Sequence, residues 1–292
     1  MNSRPSDEVR LAVPNKGRIA QPARELIERS GLHVVEGHDR RLIARTCDPH
    51  VEILFARPID IPEYVANGAA DLGVTGRDMI AEKGAEVEEL IDLQFGRASM
   101  VIAVPEDSPV GSAEDLYGAR IATEFPTITL SFFERQGIPV TLVPVGGACE
   151  AAPQLGIAEA IVDLSSSGDT LRINHLRIVH EVLKTSTCLI ANKASLISKY
   201  DKIQEIQLAL ESVIRARGQR YVMMNVERTM LPEVQRVLPG LSGPTIMDVA
   251  SSDDLVAVHA VVGEDRIYRL ITQLKRAGAR DILVIPIERM VR

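Results

Sequence analysis

A carboxylate, three serines, a glycine and a threonine follow an apolar run in the segment AIVDLSSSGDTLRINHL, residues 160–176. If that run is a strand of a parallel sheet, Asp163 lies at its carboxyl end, where open α/β sheets bind ligands. Short hydroxyls and backbone N–H groups before a helix form an anion site. The segment therefore predicts a sugar-phosphate site, with Asp163 on the ribose hydroxyls. The phosphate would lie on the loop Ser165, Ser166, Ser167, Gly168, Asp169 and Thr170.

The same loop has a simpler interpretation as a serine-rich turn in which Thr170 caps the following helix. The chain contains neither of the common phosphate motifs, G-x-x-x-x-G-K-[ST] and G-x-G-x-x-G. Glu159 shares strand parity with Asp163 and is a second candidate for the sugar, although it lies ~13 Å back along an extended strand. These residues alone leave both interpretations open.

Cationic side chains recur just beyond other strand-like runs. The segment VPNKGR, residues 13–18, places Lys16 and Arg18 on a glycine-containing turn before a helix. Solvated surface charge is the commoner fate of lysine and arginine. Their recurrence at strand ends favours a role in binding phosphates. The segment from 56 to 78 adds Arg57 after one strand and, after the next, Thr75, Gly76, Arg77 and Asp78.

The elements that must position these residues alternate between strand-like and helix-like runs, which indicates an α/β protein. Two successive α/β blocks are separated near FGRAS, residues 95–99, and a later strand-like run, TCLIANK, lies at 187–193. We expect two lobes with a ligand in the cleft between them. The first lobe would comprise residues 1–97 and 186–212, and the second would comprise residues 98–185.

The C-terminal part, residues 218–292, predicts the order β-α-β-β-α-β after a long helix-like stretch at 194–219. That order is the ferredoxin-like module. Such a module attached to an enzyme serves regulation in some proteins and packing or oligomerisation in others. The order of elements does not choose between these roles.

Composition excludes several classes of protein. The net charge of −7 argues against a nucleic-acid surface, and an aromatic content of 3% argues against stacking platforms for single strands. No run approaches the ~20 apolar residues that cross a bilayer, and the N-terminus has no signal-peptide pattern, which predicts a cytoplasmic protein without membrane contact. The three cysteines are far apart in the chain and lack C-x-x-C spacing, so we expect reduced thiols.

Six segments of the sequence together resemble the ATP phosphoribosyltransferase family of histidine biosynthesis. They are VPNKGRI, DLGVTGRD, FGRAS, IATEFP, GACEAAPQLG and AEAIVDLSSSGDTLRINHL. The resemblance extends from about residue 9 to residue 292. PGLSGPT and AGARDILVIPIERM resemble the C-terminal module of the family's long form, which carries its own regulatory domain. The resemblance implies a type II periplasmic-binding-protein-like core followed by a ferredoxin-like domain.

The family reaction joins N1 of the adenine of ATP to C1 of the ribose in 5-phosphoribosyl 1-pyrophosphate (PRPP), releasing pyrophosphate. Mg²⁺ prefers phosphates and waters with one or two carboxylates, so we expect substrate phosphates to hold most of it. The resemblance implies a homo-hexamer built from dimers. Residues Glu159, Asp163 and 165–170 would bind PRPP, and Arg57 and Asp78 would contact the adenine nucleotide. Weaker candidates for the same cleft are Arg97, Glu124 and Glu150. Residues implied for ATP are Lys16, Arg18, Arg57, Thr75, Gly76, Arg77 and Asp78.

The resemblance also implies a site for histidine as an allosteric inhibitor. Gly243 stands where serine is common in this pattern, so a hydroxyl donor is missing and weaker inhibition is expected. The residues implied for this site are Asn225, Leu241, Gly243, Thr245 and Asp281.

Two other classes of function share a two-lobed cleft. A solute-binding protein normally carries a secretion signal and does not need a ferredoxin-like module. A transcription regulator needs a DNA-binding segment, and the first strand-like run begins by residue 9, which leaves no room for an N-terminal helix-turn-helix.

Overall fold

The computed structural model describes residues 8–35, 42–238, 243–250 and 252–291. Contacts between residues divide the chain into two units, residues 1–207 and residues 208–292. Within the described ranges, no helix is both long enough and apolar enough to span a bilayer.

The first elements belong to a mixed sheet in which β1 pairs in parallel with both β3 and β4. Strand β1 has the nearly continuous apolar sequence VRLAVP, as expected of a strand covered on both faces. Leu11, Ile53 and Leu72 bury their side chains in this sheet. The elements are β1 (Val9–Pro14), α1 (Ala20–Arg29), β2 (Ile43–Arg45), β3 (Val51–Ala56), α2 (Ile61–Ala66), β4 (Leu72–Gly76), α3 (Arg77–Lys83) and β5 (Glu88–Asp92).

The chain then crosses into a second sheet. Its elements are β6 (Ala98–Pro105), β7 (Arg120–Thr123), α4 (Pro126–Gln136), β8 (Thr141–Pro144), β9 (Ala160–Ser165), α5 (Asp169–Ile173) and β10 (Leu176–Thr185). The order is β10-β6-β9-β7-β8, and β7 pairs in parallel with both β8 and β9. Ile102, Ile121 and Phe133 are part of the core on one face of this sheet.

Strand β11 (Thr187–Ala191) returns to the first sheet and lies antiparallel between β4 and β5. The first sheet therefore has the order β2-β3-β1-β4-β11-β5. The predicted two-lobed α/β core is confirmed.

The C-terminal elements follow α6 (Lys193–Ser198) and α7 (Tyr200–Ala216). They are β12 (Gln219–Glu227), α8 (Leu231–Val237), β13 (Thr245–Val249), β14 (Ser252–Gly263), α9 (Glu264–Arg276) and β15 (Arg280–Pro286). The sheet order is β13-β14-β12-β15. Val222, Val258 and Leu270 lie in the core between this sheet and its helices. The predicted ferredoxin-like module is confirmed.

Several local predictions differ from the structure. Residues 148–155, whose sequence ACEAAPQL suggests a helix, form only a 3-10 turn at Cys149–Ala151. The single helix predicted over 194–219 is interrupted at Lys199, whose ammonium group binds Asp71 Oδ1 at 2.9 Å and the Glu8 carbonyl at 2.6 Å. Asp71 is buried, so the contact anchors Lys199 where the two helices meet.

Candidate functional site

The carboxyl ends of β3, β1 and β4 meet at one edge of the first sheet, because these strands are parallel. Arg57 follows β3, and Lys16 and Arg18 follow β1. The two turns are joined by the Asn15 N–H, which donates to the Ala56 carbonyl at 2.8 Å. All three cations are exposed, and none forms an ion pair with another described residue. This edge therefore presents charges that remain available to an anion.

The predicted residues after β4 are placed differently. Thr75 is buried and donates its hydroxyl to the Pro58 carbonyl at 3.0 Å. Asp78 is 2% exposed and accepts from the Thr185 hydroxyl at 2.6 Å. A Cβ at Gly76 would collide with the Asp78 carboxylate, so that turn requires glycine. These side chains fix the end of β4 rather than pointing freely into the cleft.

Arg77 also has protein partners. Its guanidinium forms an ion pair with Glu89, contacts Asp92 Oδ2 at 3.2 Å and donates to the Ser186 hydroxyl at 2.6 Å. The two carboxylates offset its charge. Arg77 therefore joins β4 to the return segment between β10 and β11, and it is a weaker anion ligand than Lys16, Arg18 or Arg57.

The second sheet brings acidic residues to its own carboxyl edge. Glu124 follows β7, Asp163 lies near the end of β9, and Glu150 belongs to the 3-10 turn beyond β8. Burial raises the pKa of Asp163 to about 6, and the negative charges of Glu124 and Glu150 act in the same direction. The Leu164 N–H, 2.7 Å from Asp163 Oδ1, and the charge of Arg18 lower that pKa. Asp163 therefore lies near two acidic residues of its own sheet and near Arg18, a cation of the other sheet.

The serine loop connects Asp163 to α5. Gly168 is the N-cap of α5 and has φ +80°, a left-handed conformation that favours glycine. Because Gly168 is the cap, the alternative in which Thr170 caps the helix is wrong. The Ser167 hydroxyl donates to Asp169 Oδ2 at 2.8 Å, and Arg172 contacts Asp169 Oδ1 at 3.2 Å.

The remaining groups of this loop are open. Ser166 and Thr170 are exposed, and their hydroxyls have no hydrogen-bond partner among the described residues. The Asp169 N–H at the start of α5 donates to the Ser167 hydroxyl at 3.4 Å. No described side chain accepts from the N–H groups of Thr170 and Leu171 in the same turn, so these two are available to an outside acceptor. Ser165 ends β9 and starts this loop.

Glu159 lies at the opposite end of β9. Its carboxylate accepts from the Arg120 guanidinium at 2.5 Å and from the Arg120 N–H at 2.6 Å. Because strand β9 separates Glu159 from the loop, the structure does not bring this carboxylate to the sugar-phosphate candidates. Arg120 supplies a sufficient structural role for it.

Direct hydrogen bonds hold the two lobes together beside this cleft. Glu82 on α3 accepts from the Thr127 and Ile128 N–H groups at 3.0 and 3.1 Å, and so caps α4 from the other lobe. Sequence reasoning missed this cap and also missed Thr185 and Ser186. The hydroxyl-rich run KTST at 184–187, directly before the returning strand, was the available signal.

In the C-terminal unit, the Asn225 side chain donates to Asp281 Oδ2 at 2.9 Å across the sheet. Thr245 is exposed on β13, and Asp281 has φ +52°. Gly243 has φ +90°, a conformation that a serine would adopt only with strain. The predicted Leu241 lies outside the described residues.

Metal ligands are sparse in the described part of the chain. No group of three or more histidine, cysteine, aspartate or glutamate side chains there is arranged to hold a metal ion. The carboxylates of Asp163, Glu124 and Glu150 are near enough to influence one another electrostatically. That arrangement offers one or two carboxylates to an ion carried by a ligand, in keeping with the ordinary preference of Mg²⁺.

Comparisons with known proteins identify the family of this chain. A family model described as HisG, ATP phosphoribosyltransferase, matches residues 57–212, and one described as the HisG C-terminal domain matches residues 216–289. The ATP phosphoribosyltransferase of Methanosarcina barkeri is 53% identical over 288 residues, which cover 97% of this chain and 99% of that protein. That of Methanocella arvoryzae is 55% identical over 284 residues, covering 97% and 100%.

A solved structure supports the same assignment for the larger part of the chain. A chain of the ATP phosphoribosyl transferase (HisG:HisZ) complex from Thermotoga maritima superimposes with a TM-score of 0.64 at 27% identity. The match covers 71% of this chain and 98% of the other. Matches to both family models and near-complete coverage of the curated relatives show that the chain belongs to the ATP phosphoribosyltransferase family, whose members are pentosyltransferases of histidine biosynthesis.

Proposed function

We propose that this chain transfers the phosphoribosyl group of PRPP to N1 of the adenine of ATP and releases pyrophosphate. The observation that carries the proposal is the approach of two sheet edges, in which Arg18 on the first lies close enough to Asp163 on the second to lower its pKa. The first edge presents Lys16, Arg18 and Arg57, while the second presents Asp163 and the open loop from 165 to 170. Cations for phosphates, a carboxylate for ribose hydroxyls and a cradle for the 5-phosphate are the groups that this reaction requires.

The chemistry needs positioning and charge stabilisation more than proton transfer. Adenine N1 attacks with its own lone pair, so no activated serine or cysteine nucleophile is needed. The N1–C1 bond forms while the bond from C1 to the pyrophosphate oxygen breaks, and the electron pair leaves with pyrophosphate. Exposed cations on the first edge would bind the negative phosphates, and the acidic second edge would favour positive charge developing on the ribose.

We further propose Mg²⁺ as the cofactor, delivered on the phosphates of the substrate. Up to two carboxylates from Asp163, Glu124 and Glu150 would complete its ligands. The ion would offset the charge of the departing pyrophosphate. Protonation of Asp163 below about pH 6 would remove its negative charge from this site.

The C-terminal unit is proposed to bind free histidine and thereby inhibit the enzyme, and the active form is proposed to be a homo-hexamer. The Asn225–Asp281 pair supports a polar ligand, because an amide and a carboxylate together match an amino acid's ammonium and carboxylate groups. A second class of role for this unit is assembly alone. Histidine titration of the activity separates the two roles.

The test mixes the purified chain with ATP, PRPP and Mg²⁺ and measures both pyrophosphate and the absorbance of an N1-substituted adenine. Reactions lacking one substrate are the controls, and each must give neither product. Binding of ATP or PRPP without any product under all conditions would favour a binding protein over an enzyme and would overturn the proposal.

A further inference from the structure

A cavity of ≈ 430 Å³ opens beside the serine loop, where the chain crosses between the lobes. Its volume is in the range of small-molecule sites. Neither Lys184 nor Ser99 was a candidate from the sequence. The lining residues that carry polar groups are Arg77, Asp92, Arg97, Ser99, Ser166, Lys184, Thr185 and Ser186.

The strand register aligns Lys184 with Ser165, the residue at which the serine loop begins. Ser99 on β6 lies opposite Lys184 on β10 and opposite Ser165 on β9. Residues directly opposite one another on neighbouring strands present their side chains to the same face of a sheet. Lys184 therefore stands two strand spacings, about 10 Å, from the residue that begins the loop.

Two of the three cations in this cavity are open to an outside anion. Arg77 is occupied by Glu89 and Asp92. Arg97 is exposed and has no ion pair with a described residue. Lys184, with a side chain 79% exposed, has only a 3.6 Å contact with Glu181 Oε1.

The acidic groups around the cavity are already engaged. Glu181 accepts from the Ser99 hydroxyl at 2.6 Å. Asp92 accepts from the Ser186 hydroxyl at 3.0 Å as well as from Arg77. Arg97 and Lys184 are therefore the exposed cations that an incoming phosphate can reach, Lys184 by exchanging its 3.6 Å contact with Glu181, and they lie next to the loop that holds the proposed 5-phosphate.

We infer that Lys184, with Arg97 and Ser166, forms a subsite for the polyphosphate chain of a substrate. The inference rests on the proposed function. A polyphosphate is favoured over a single phosphate because two exposed cations, Arg97 and Lys184, line one cavity together with Ser166. The chain has two sources with the same chemistry, the pyrophosphate group of PRPP and the triphosphate of ATP.

The experiment measures binding by calorimetry for Lys184→Gln and for Lys184→Arg, with Lys193→Gln as the matched control. Lys193 is an exposed lysine of the same unit, 3.7 Å from Glu86, outside the cavity. The ligands are inorganic pyrophosphate, PRPP, ribose 5-phosphate, ATP and AMP. We expect Lys184→Gln to weaken binding of a polyphosphate ligand about tenfold, because one charge-assisted hydrogen bond is lost. Lys184→Arg should retain most of the affinity, and Lys193→Gln should match the unaltered chain.

The pattern across ligands identifies the source. Weaker ATP binding with unchanged AMP binding assigns the subsite to the triphosphate. Weaker binding of PRPP and pyrophosphate with unchanged ribose 5-phosphate binding assigns it to the pyrophosphate group. The inference is overturned if AMP binding weakens as much as ATP binding, or ribose 5-phosphate binding as much as PRPP binding. It is also overturned if Lys184→Gln weakens the binding of no ligand. Because these are binding measurements, a chain that binds polyphosphate through Lys184 but forms no product would contradict the proposed function alone.

Discussion

Arg18 follows a strand of the first sheet and Asp163 lies on a strand of the second, yet the guanidinium of Arg18 lies close enough to the Asp163 carboxyl group to favour its charged form. Burial and the carboxylates of Glu124 and Glu150 oppose that effect. The charge of Asp163 therefore depends on both lobes, because Arg18 in one favours the ionised form while Glu124 and Glu150 in the other favour the protonated form. A substrate that brings phosphates to Arg18 and hydroxyls to Asp163 would use both groups.

Replacement of Asp163 should stabilise the fold at neutral pH. The pKa of Asp163 is raised to about 6 in the folded chain, whereas an unfolded aspartate titrates near 4. Between these values the folded chain binds a proton that the unfolded chain lacks, so stability falls as pH rises from about 4 to about 6. Above that window, Asp163→Asn should raise the free energy of unfolding by about 1–3 kcal/mol, the upper limit corresponding to the full shift.

Denaturant unfolding at pH 4 and pH 8 measures this effect. The gain should be present at pH 8 and nearly absent at pH 4, and the variant should lose activity at both. Asp169→Asn is the control, because Ser167 and Arg172 lower the pKa of Asp169 and its replacement should bring no gain at pH 8. Equal stability of Asp163→Asn and the unaltered chain at pH 8 would show that the carboxylate is not strained by its surroundings.

Changes in the serine loop should affect PRPP far more than ATP. Thr170→Val removes an exposed hydroxyl without a described protein partner, so the fold should be unchanged while PRPP binding weakens by about one to two decades. Gly168→Val should weaken PRPP as well, because φ +80° strains any side chain even though a Cβ there meets no atom within 4 Å. Calorimetry with each substrate measures both effects.

Thr272→Val on α9 is the control for the loop variants, because Thr272 is an exposed helical threonine of the other unit. It should bind both substrates normally. If Thr170→Val weakens ATP and PRPP equally while its melting temperature stays unchanged, the loop does not hold the 5-phosphate.

The strand ends of the cleft were predictable from the sequence, whereas the partners of several side chains were not. Apolar runs such as VRLAVP locate a strand locally, and the residue after the run then lies at the sheet edge. Arg77 and Asp78 were also predicted at such an edge, but their contacts with Ser186 and Thr185 span more than 100 residues. Such a contact depends on where the returning strand β11 enters the first sheet. A pattern within a short stretch of sequence cannot predict that position.

Strand β10 was missed for a different reason. Its pairing with β6 is interrupted by register shifts between Ile178 and His180 and between Glu181 and Leu183. Each shift breaks the alternation of buried and exposed residues that identifies a strand. Lys184 was overlooked as a site residue because the strand that carries it was not recognised.

Arg57→Ala should raise the requirement for ATP while leaving PRPP binding measurable. A guanidinium both stacks on a purine and pairs with phosphate, and Arg57 is exposed at the edge of the first sheet with no side-chain partner among the described residues. We expect ATP binding to weaken about tenfold. The measurement is calorimetry with ATP and with PRPP, and Arg135→Ala, an exposed arginine on α4, is the control. Unchanged ATP affinity in Arg57→Ala would remove this residue from the nucleotide site.

Sensitivity to histidine should depend on Asp281. Asp281→Asn removes the charge that faces Asn225 while retaining a residue that tolerates the φ of +52° at this position. If the carboxylate binds the ammonium group of histidine, this variant should lose inhibition, and Asp281→Ala should behave in the same way. Histidine titration of the initial rate measures the loss, for which a coupling of about 1–3 kcal/mol is sufficient. A normal response in both variants would identify the C-terminal unit as an assembly module.

Substitution of Gly243 provides the complementary test, because the effect of the missing hydroxyl can be separated from that of the positive φ. Gly243→Ser restores the hydroxyl that is common in this pattern, and a Cβ there has no atom within 4 Å, but φ +90° imposes backbone strain. Gly243→Ala carries the same strain without the hydroxyl. Both variants should therefore melt at a lower temperature than the unaltered chain, and only the serine variant should be inhibited at lower histidine concentrations. Equal inhibition of the serine and alanine variants would show that the missing hydroxyl does not set the sensitivity.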